Sequence, residues 1–269
     1  HTQPGDEVIC DQLSHVYIYE GGGIAFNSGC QVRPLTGDRG RISAGLIEPF
    51  INPDDVHKPV SRLVSLENTA NRGGGACYDF NDILAIRELC NQHNLALHLD
   101  GARLWNALVA RNEQPIQYGR VFDSISICLS KGLGTPVGSL LLGSASFIKK
   151  ARRIRKVMGG GMRQAGYLAA AGIYALDHHI NRLAQDHAHA QQVAQQLQQL
   201  DFISGLLPVE TNILIVEVSG RYTAAGLAAQ LKQAGIYCIA ISATQVRMVF
   251  HLDVTPEMVD HLLGVLQTL

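Results

Sequence analysis

Short apolar segments alternate with helical segments through the first half of this chain of 269 residues. Strands are predicted over residues 7–10, 62–66, 95–99, 124–129 and 139–142, and helical patterns cover residues 79–92 and 102–110. Strands that alternate with helices build a mostly parallel sheet whose faces those helices cover. We therefore predict an α/β fold with a mostly parallel sheet.

The pattern changes in the last third of the chain. Residues 164–200 are almost wholly helical, and after them the order β-α-β-β-α is predicted: strand 211–218, helix 223–234, strands 236–241 and 245–251, and helix 255–269. Gly235 ends the first of these helices, and Thr255 followed by Pro256 begins the second. We predict a smaller C-terminal α/β domain over 181–269 and a large domain over 1–180.

Asp100 and Lys131 lie just past the carboxyl ends of two successive predicted strands. Ligands bind at that edge of an open α/β sheet. A lysine amine and a carboxylate held there suit pyridoxal phosphate, which needs an amine for its Schiff base and an acid at its pyridine nitrogen. Each residue also has a plainer interpretation, Asp100 as a helix cap and Lys131 as a surface charge.

Three further side chains are candidates for the same site. His15 precedes a run of glycines, and its imidazole would stack on a cofactor ring or relay protons, unless it is structural. Arg103, one turn after Asp100, would pair with that carboxylate. Arg247 lies on an apolar strand and would bind a carboxylate in a bidentate manner, unless it faces solvent.

The composition narrows the classes of function. The net charge is −1 and 46% of the residues are hydrophobic, which is typical of a globular protein. The one basic run, residues 149–156, is typical of a solvated helix face, so nucleic-acid binding is disfavoured. The six cysteines form no C-x-x-C pair, which favours a reducing, cytoplasmic compartment. No apolar run would span a bilayer, and the histidines lack metal-site spacing.

The segments that carry these candidates resemble the L-threonine aldolase family over nearly the whole chain. This family consists of pyridoxal-phosphate enzymes with the aspartate aminotransferase fold (fold type I, PLP-dependent transferase-like). The resemblance rests on Ser14-His15, Leu66-Glu67-Asn68-Thr69, His98-Leu99-Asp100-Gly101-Ala102-Arg103, DSISICLSKGLGTPVGS at 123–139, GGGMRQAG at 159–166 and VRMVFHLD at 246–253.

The resemblance implies a role for each candidate. Lys131 would form the Schiff base with pyridoxal phosphate, Asp100 would pair with the pyridine nitrogen, and His15 would stack on the ring. Arg103 would lie near the cofactor's O3′ and the substrate carboxylate, which Arg247 would bind.

The resemblance also implies the reaction and the assembly. A threonine-like or allo-threonine-like β-hydroxy-α-amino acid would be cleaved by retro-aldol chemistry into glycine and an aldehyde. Arg163 would reach the cofactor phosphate of a neighbouring subunit, in a homotetramer built from dimers with shared active sites.

The chain departs from the family in two places. Family members read Glu-Asn-Thr-His-Asn where this chain has Glu67-Asn68-Thr69-Ala70-Asn71, and the missing histidine normally faces the substrate's β-hydroxyl. The family's N-terminal phosphate loop is not in the sequence, so we expect a longer parent protein. Because of Ala70, a β-eliminating lyase of the same fold remains an alternative function. Because the phosphate loop is missing, a non-catalytic relative of the family remains a second alternative.

Overall fold

The computed structural model describes residues 1–269 and contains two β-sheets. The first sheet has six strands in the order β2-β1-β3-β4-β5-β6. Every neighbouring pair is parallel except β5 and β6, which are antiparallel. The prediction of a mostly parallel α/β sheet is thus confirmed. The strands are β1 (Asp6–Asp11), β2 (Gln31–Leu35), β3 (Val60–Glu67), β4 (Ala96–Gly101), β5 (Ser124–Cys128) and β6 (Ser139–Gly143).

The helices of this part begin where the sequence provides caps. Asp79 accepts a hydrogen bond from the backbone N–H of Asn81 at 2.8 Å and so caps the helix after β3, as the sequence predicts. The helices are α1 (His15–Ile18), α2 (Gly23–Ser28), α3 (Ala44–Ile47), α4 (Phe80–Gln92), α5 (Leu104–Arg111), α6 (Pro115–Val121), α7 (Ala145–Val157) and α8 (Gly166–His178). None of the helices in the chain is both long and apolar enough to cross a membrane.

The core of the first sheet packs on the face that carries Ile9, Val64 and Leu97, which are partners in the strand register. Ile9, Val64 and Leu97 on the three central strands are fully buried, and they belong to a cluster of 21 buried residues. In β4, buried and partly exposed side chains alternate, so its apolar residues recur at every second position. Because neighbouring strands are parallel, their carboxyl ends meet at one edge of the sheet. The polar residues that follow each apolar run therefore collect at the carboxyl edge.

The second sheet is smaller and antiparallel, in the order β7-β8-β10-β9. Its elements are α9 (Leu183–Leu197), β7 (Ile203–Leu206), β8 (Ile213–Val218), α10 (Ala224–Gln233), β9 (Ile239–Ala240), β10 (Gln245–Val249) and α11 (Pro256–Leu266). Thr223 and Thr255 cap the two last helices, and Gly235 has φ +78° after α10. A separate cluster of 17 buried residues lies between this sheet and its helices.

The sequence prediction was incomplete at the edges of both sheets. It did not include β2 or β7, and it extended β9 over residues 236–241. Both missed strands lie at sheet edges and lack a regular alternation of buried and exposed side chains, which removes the signal for a strand.

A buried histidine joins the two parts of the fold. His187 on α9 accepts a hydrogen bond at Nε2 from the Asn106 amide on α5, at 3.1 Å. Burial lowers the pKa of His187 to about 4. The imidazole therefore stays neutral in the folded protein at pH values where the unfolded chain is protonated.

This difference in pKa between the folded and unfolded chain predicts that the free energy of unfolding falls in mild acid. Between about pH 6.5 and 4 the unfolded chain binds a proton that the folded chain does not, so His187 lowers the free energy of unfolding by up to about 1.4 kcal/mol per pH unit. The substitution His187→Gln removes the titrating group, and we expect a shallower pH dependence. Denaturant titrations at pH 7, 6 and 5 measure it, with His93→Gln on the surface as control. An unchanged slope in His187→Gln would contradict the assignment.

Candidate active site

Asp100 lies at the end of β4, on the carboxyl edge of the first sheet. Its Oδ1 accepts from the Ala102 backbone N–H at 3.1 Å, and the helix that follows begins only at Leu104 with Arg103 in the cap position. Burial raises the pKa of the Asp100 carboxyl, while the Ala102 amide and the nearby charges of Lys131 and His15 oppose that rise. Asp100 is thus a largely buried carboxylate near cations rather than the cap of α5.

Lys131 occupies a loop three residues beyond β5, the strand next to β4. Its Nζ donates to the Cys128 Sγ at 2.9 Å, and its side chain is exposed. Glycines shape the loop, because a Cβ at Gly132 would come within 2.8 Å of the Leu183 side chain, and Gly134 has φ +71°. The neighbouring strands bring the amine to the same edge as Asp100.

His15 begins α1 at this edge and is held by a buried carboxylate. The Glu67 Oε2 accepts from the His15 backbone N–H at 2.7 Å, and the His15 Nδ1 lies 2.9 Å from the Glu20 Oε1. The imidazole is about half exposed and close enough to influence the pKa values of Asp100 and Glu67. Its ring is therefore accessible on the side of the two carboxylates.

Arg103 and Arg247 come from different sheets and meet at one oxygen. The Asn71 Oδ1 accepts from the Arg247 Nη2 at 2.8 Å and from the Arg103 Nη1 at 3.4 Å. Neither guanidinium has a carboxylate within 4.0 Å, and the Arg247 Nε is buried without a partner. Burial lowers the pKa of Arg103 to about 10, with the charge of Arg247 contributing. Two partly buried cations that lack a direct ion-pair partner are suited to bind an anionic group.

A cavity of about 320 Å³ is lined by Lys131 and Arg103, whereas Asp100, His15 and Arg247 are not among its lining residues. Asn212 and His251 also line it. The Asn212 Nδ2 donates to the Phe250 carbonyl at 2.8 Å, whereas its Oδ1 is buried and has no partner. A larger cleft of about 1320 Å³ lies between β6 and α7, but neither Lys131 nor Arg103 lines it.

Arg163 and Ala70, which the sequence also named, do not line this cavity either. Arg163 is exposed in the loop between α7 and α8 and makes no hydrogen bond within the chain. Ala70 is buried, and a Cβ at Gly40 would come within 2.8 Å of the Ala70 methyl. The methyl group therefore packs against the Gly40 backbone, and Ala70 does not line the cavity.

Sequence reasoning missed three polar residues of the site. Glu67 anchors His15 and, through its Oε1, the Asn71 backbone N–H at 2.8 Å. Asn71 joins the two arginines, and Asn212 lines the cavity. A carboxylate at the end of the apolar strand β3 was a usable signal for Glu67, since burial of an acid demands donors. The two asparagines have no such signal.

Comparisons with known proteins agree on one kind of enzyme. The family model described as beta-eliminating lyase matches residues 1–221. The low-specificity L-threonine aldolase of Escherichia coli K12 is 42% identical over 258 residues, which cover 96% of this chain and 75% of that protein.

Solved structures show the same fold. The threonine aldolase of Leishmania major has a TM-score of 0.83 at 21% identity, covering 99% of this chain and 78% of that one. A serine palmitoyltransferase solved with pyridoxal phosphate has a TM-score of 0.71 at 17% identity, covering 99% and 67%. The chain therefore has the fold of the pyridoxal-phosphate enzymes of fold type I.

From the arginine pair we predict that a substitution that raises the free energy of unfolding will weaken the binding of an anion. Asn71→Asp would put a carboxylate between the two guanidinium groups, and we expect it to raise the free energy of unfolding by about 1–3 kcal/mol. The same change would fill the place of an anionic ligand, so affinity for amino-acid carboxylates would fall. Thermal unfolding and glycine binding measure the two effects, with Asn71→Leu as the control that lowers both. Tighter glycine binding by Asn71→Asp would show that the pair does not bind the carboxylate.

Proposed function

The chain belongs to the threonine aldolases of the beta-eliminating lyase family, and we propose that it cleaves β-hydroxy-α-amino acids such as threonine and allo-threonine into glycine and an aldehyde. It is a pyridoxal-phosphate-dependent carbon–carbon lyase. The observation that carries the proposal is the meeting of an amine, a buried carboxylate and two unpaired guanidinium groups at one sheet edge.

The residues at this edge fit pyridoxal phosphate. Asp100 is largely buried, has no ion-pair partner within 4.0 Å and is therefore available to a protonated ring nitrogen. Lys131 offers a flexible amine on a glycine-containing loop. When bound, the cofactor supplies a Schiff base and an electron sink for the carbon–carbon bond that breaks.

The protein's own residues then have distinct tasks. Lys131 would hold the cofactor covalently through its Nζ, and His15 would contact the ring. Asp100 would keep the pyridine nitrogen protonated. Arg247 and Arg103 bind the substrate carboxylate and so orient the bond between Cα and Cβ. Loss of the β-hydroxyl proton and cleavage of the Cα–Cβ bond would release the aldehyde, and Cα would take up one proton to give glycine, so the reaction neither gains nor loses a proton overall.

We also propose the organisation that the family resemblance implies. The domains would divide near residue 180, supported by the turn between α8 and α9 that separates the two buried clusters. A homotetramer with Arg163 at a neighbour's cofactor phosphate is supported by the exposed apolar side chains beside it, Met162 at 66% and Tyr167 at 91%. Six free cysteines support a cytoplasmic location.

Replacing Lys131 tests the cofactor and the reaction together. In the full-length protein, Lys131→Ala would abolish the visible absorbance of covalently bound cofactor, because no other amine lies in the cavity. The unaltered protein would release glycine and an aldehyde from threonine. Lys149→Ala on the exposed face of α7 is the control and would retain both properties.

The product analysis separates the candidate reactions. Ala70 supplies no polar group for a β-hydroxyl, which keeps β-elimination as the second candidate. Release of pyruvate and ammonia without glycine from β-substituted amino acids would favour that lyase. Absence of the cofactor absorbance from the unaltered full-length protein would refute the enzyme assignment.

Replacing Asp100 separates cofactor binding from turnover. Asp100→Ala would retain the absorbance of bound cofactor yet lower kcat on the order of 10²-fold or more, since the ring nitrogen loses the charge that keeps it protonated. Asp253→Asn, an exposed carboxylate at the same cavity, is the matched control and would change kcat little. Near-normal turnover by Asp100→Ala would remove the role assigned to this carboxylate.

A further inference from the structure

We infer that Glu210 is a positioning residue that fastens the second sheet and the loop 71–77 onto the first sheet, and thereby sets Asn71 and Arg247 for the substrate carboxylate. Glu210 lies in the connection between β7 and β8. It does not line the cavity beside Lys131, so it acts through other residues. The inference rests on the proposed function, because it concerns the carboxylate of that substrate.

Both oxygens of Glu210 are occupied by donors from the first sheet's side of the molecule. The Oε1 accepts from the Arg39 Nη1 at 2.7 Å. The Oε2 accepts from the Arg111 Nη2 at 2.7 Å and from the Cys77 backbone N–H at 3.1 Å. One carboxylate thus connects three separate segments to the second sheet.

The same residues hold the glycine-rich loop that begins at Asn71. Arg39 donates from Nε to the Gly73 carbonyl at 3.1 Å and from Nη2 to the Pro208 carbonyl at 2.7 Å. Thr211, next to Glu210, donates to the Gly75 carbonyl at 3.0 Å. The loop is thus tied at Gly73, Gly75 and Cys77.

The backbone of this loop is closely packed against Arg39 and Thr211. A Cβ at Gly75 would come within 2.3 Å of the Thr211 Oγ1, and a Cβ at Gly73 within 1.9 Å of the Arg39 carbonyl oxygen. Close contact of this kind transmits a shift of the loop directly to the second sheet. Asn71 at the start of the loop and Arg247 on β10 are the two groups that such a shift would separate.

The charge of Glu210 is needed for this arrangement. Arg39 and Arg111 contact the carboxylate directly, and the Arg41 Nη1 lies 3.9 Å from it. Without the negative charge, Arg39 and Arg111 would lose their only ion-pair partner, whereas Arg41 would keep its pair with Asp38. Glu210→Gln keeps the size of the side chain but would present an amide donor to one of these cations.

Asp123 offers a matched control for a purely structural effect. Its Oδ2 accepts from the Arg87 Nη1 at 2.7 Å and from the Leu97 backbone N–H at 2.7 Å, so it joins a guanidinium and an amide as Glu210 does. It immediately precedes β5, at the end of the strand opposite the site. Asp123→Asn would reduce stability without moving Asn71 or Arg247.

The test compares the two variants in the full-length protein with bound cofactor. For Glu210→Gln we expect KM for threonine to rise on the order of tenfold while kcat stays within about threefold, because carboxylate binding is impaired and the reacting groups are retained. Hydrogen–deuterium exchange would be faster over residues 71–78, and the cofactor absorbance would be unchanged. Glu210→Asp keeps the charge and would recover part of the lost affinity.

Three results would overturn the inference. An unchanged KM in Glu210→Gln would do so, with or without faster exchange, and so would a loss of kcat as large as the rise in KM. An equal rise in KM for Asp123→Asn would assign the effect to general destabilisation. If the unaltered protein binds cofactor but cleaves no amino acid, the proposed function fails. The role of Glu210 is then decided by the affinity for glycine, measured through the cofactor absorbance, in place of KM.

Discussion

The site depends on one amide oxygen, which accepts hydrogen bonds from two guanidinium groups on different parts of the fold. Asn71 belongs to a loop of the first sheet, Arg103 follows β4, and Arg247 lies on β10 of the second sheet. Placing two cations together in a partly buried region costs free energy unless an acceptor or an anion compensates. The oxygen compensates only in part, because it carries no net charge. The fold therefore leaves uncompensated positive charge at this point, which an anionic group of a ligand would neutralise.

The parallel sheet explains why the remaining groups lie nearby. Asp100 and Lys131 follow adjacent strands, so their positions are consequences of strand order and not of long-range contacts in the sequence. Glu67 ends β3, the strand on the other side of β4, and its carboxylate fixes the backbone of both His15 and Asn71. Burial raises the pKa values of Glu67 and Asp100 together, which is the cost of collecting acids at one edge.

The sequence was sufficient for the parts of this arrangement that are local. Apolar runs predicted the central strands, and the residues after them predicted Asp100 and Lys131. Asn71 and Glu210 were not predictable, because their partners lie 176 and 171 residues away and depend on how the two sheets are oriented. The direction of Arg247 was likewise undetermined, since an arginine on a half-buried strand suits either a solvent-facing or a ligand-facing position.

Ala70 shows that the loop carrying Asn71 is held in place without a polar side chain at position 70. Its methyl group packs against Gly40 and Gly73, and its backbone forms hydrogen bonds at 2.9 Å with Ala76 and Gly75. The loop after it is fixed by packing and by backbone contacts that do not involve a side chain at position 70. The position of Asn71, whose backbone N–H is held by Glu67, is thus independent of a polar side chain at position 70. The methyl group of Ala70 therefore fills a space bounded by two glycines, and the arginine pair and its amide bridge form without a contact from the side chain at position 70.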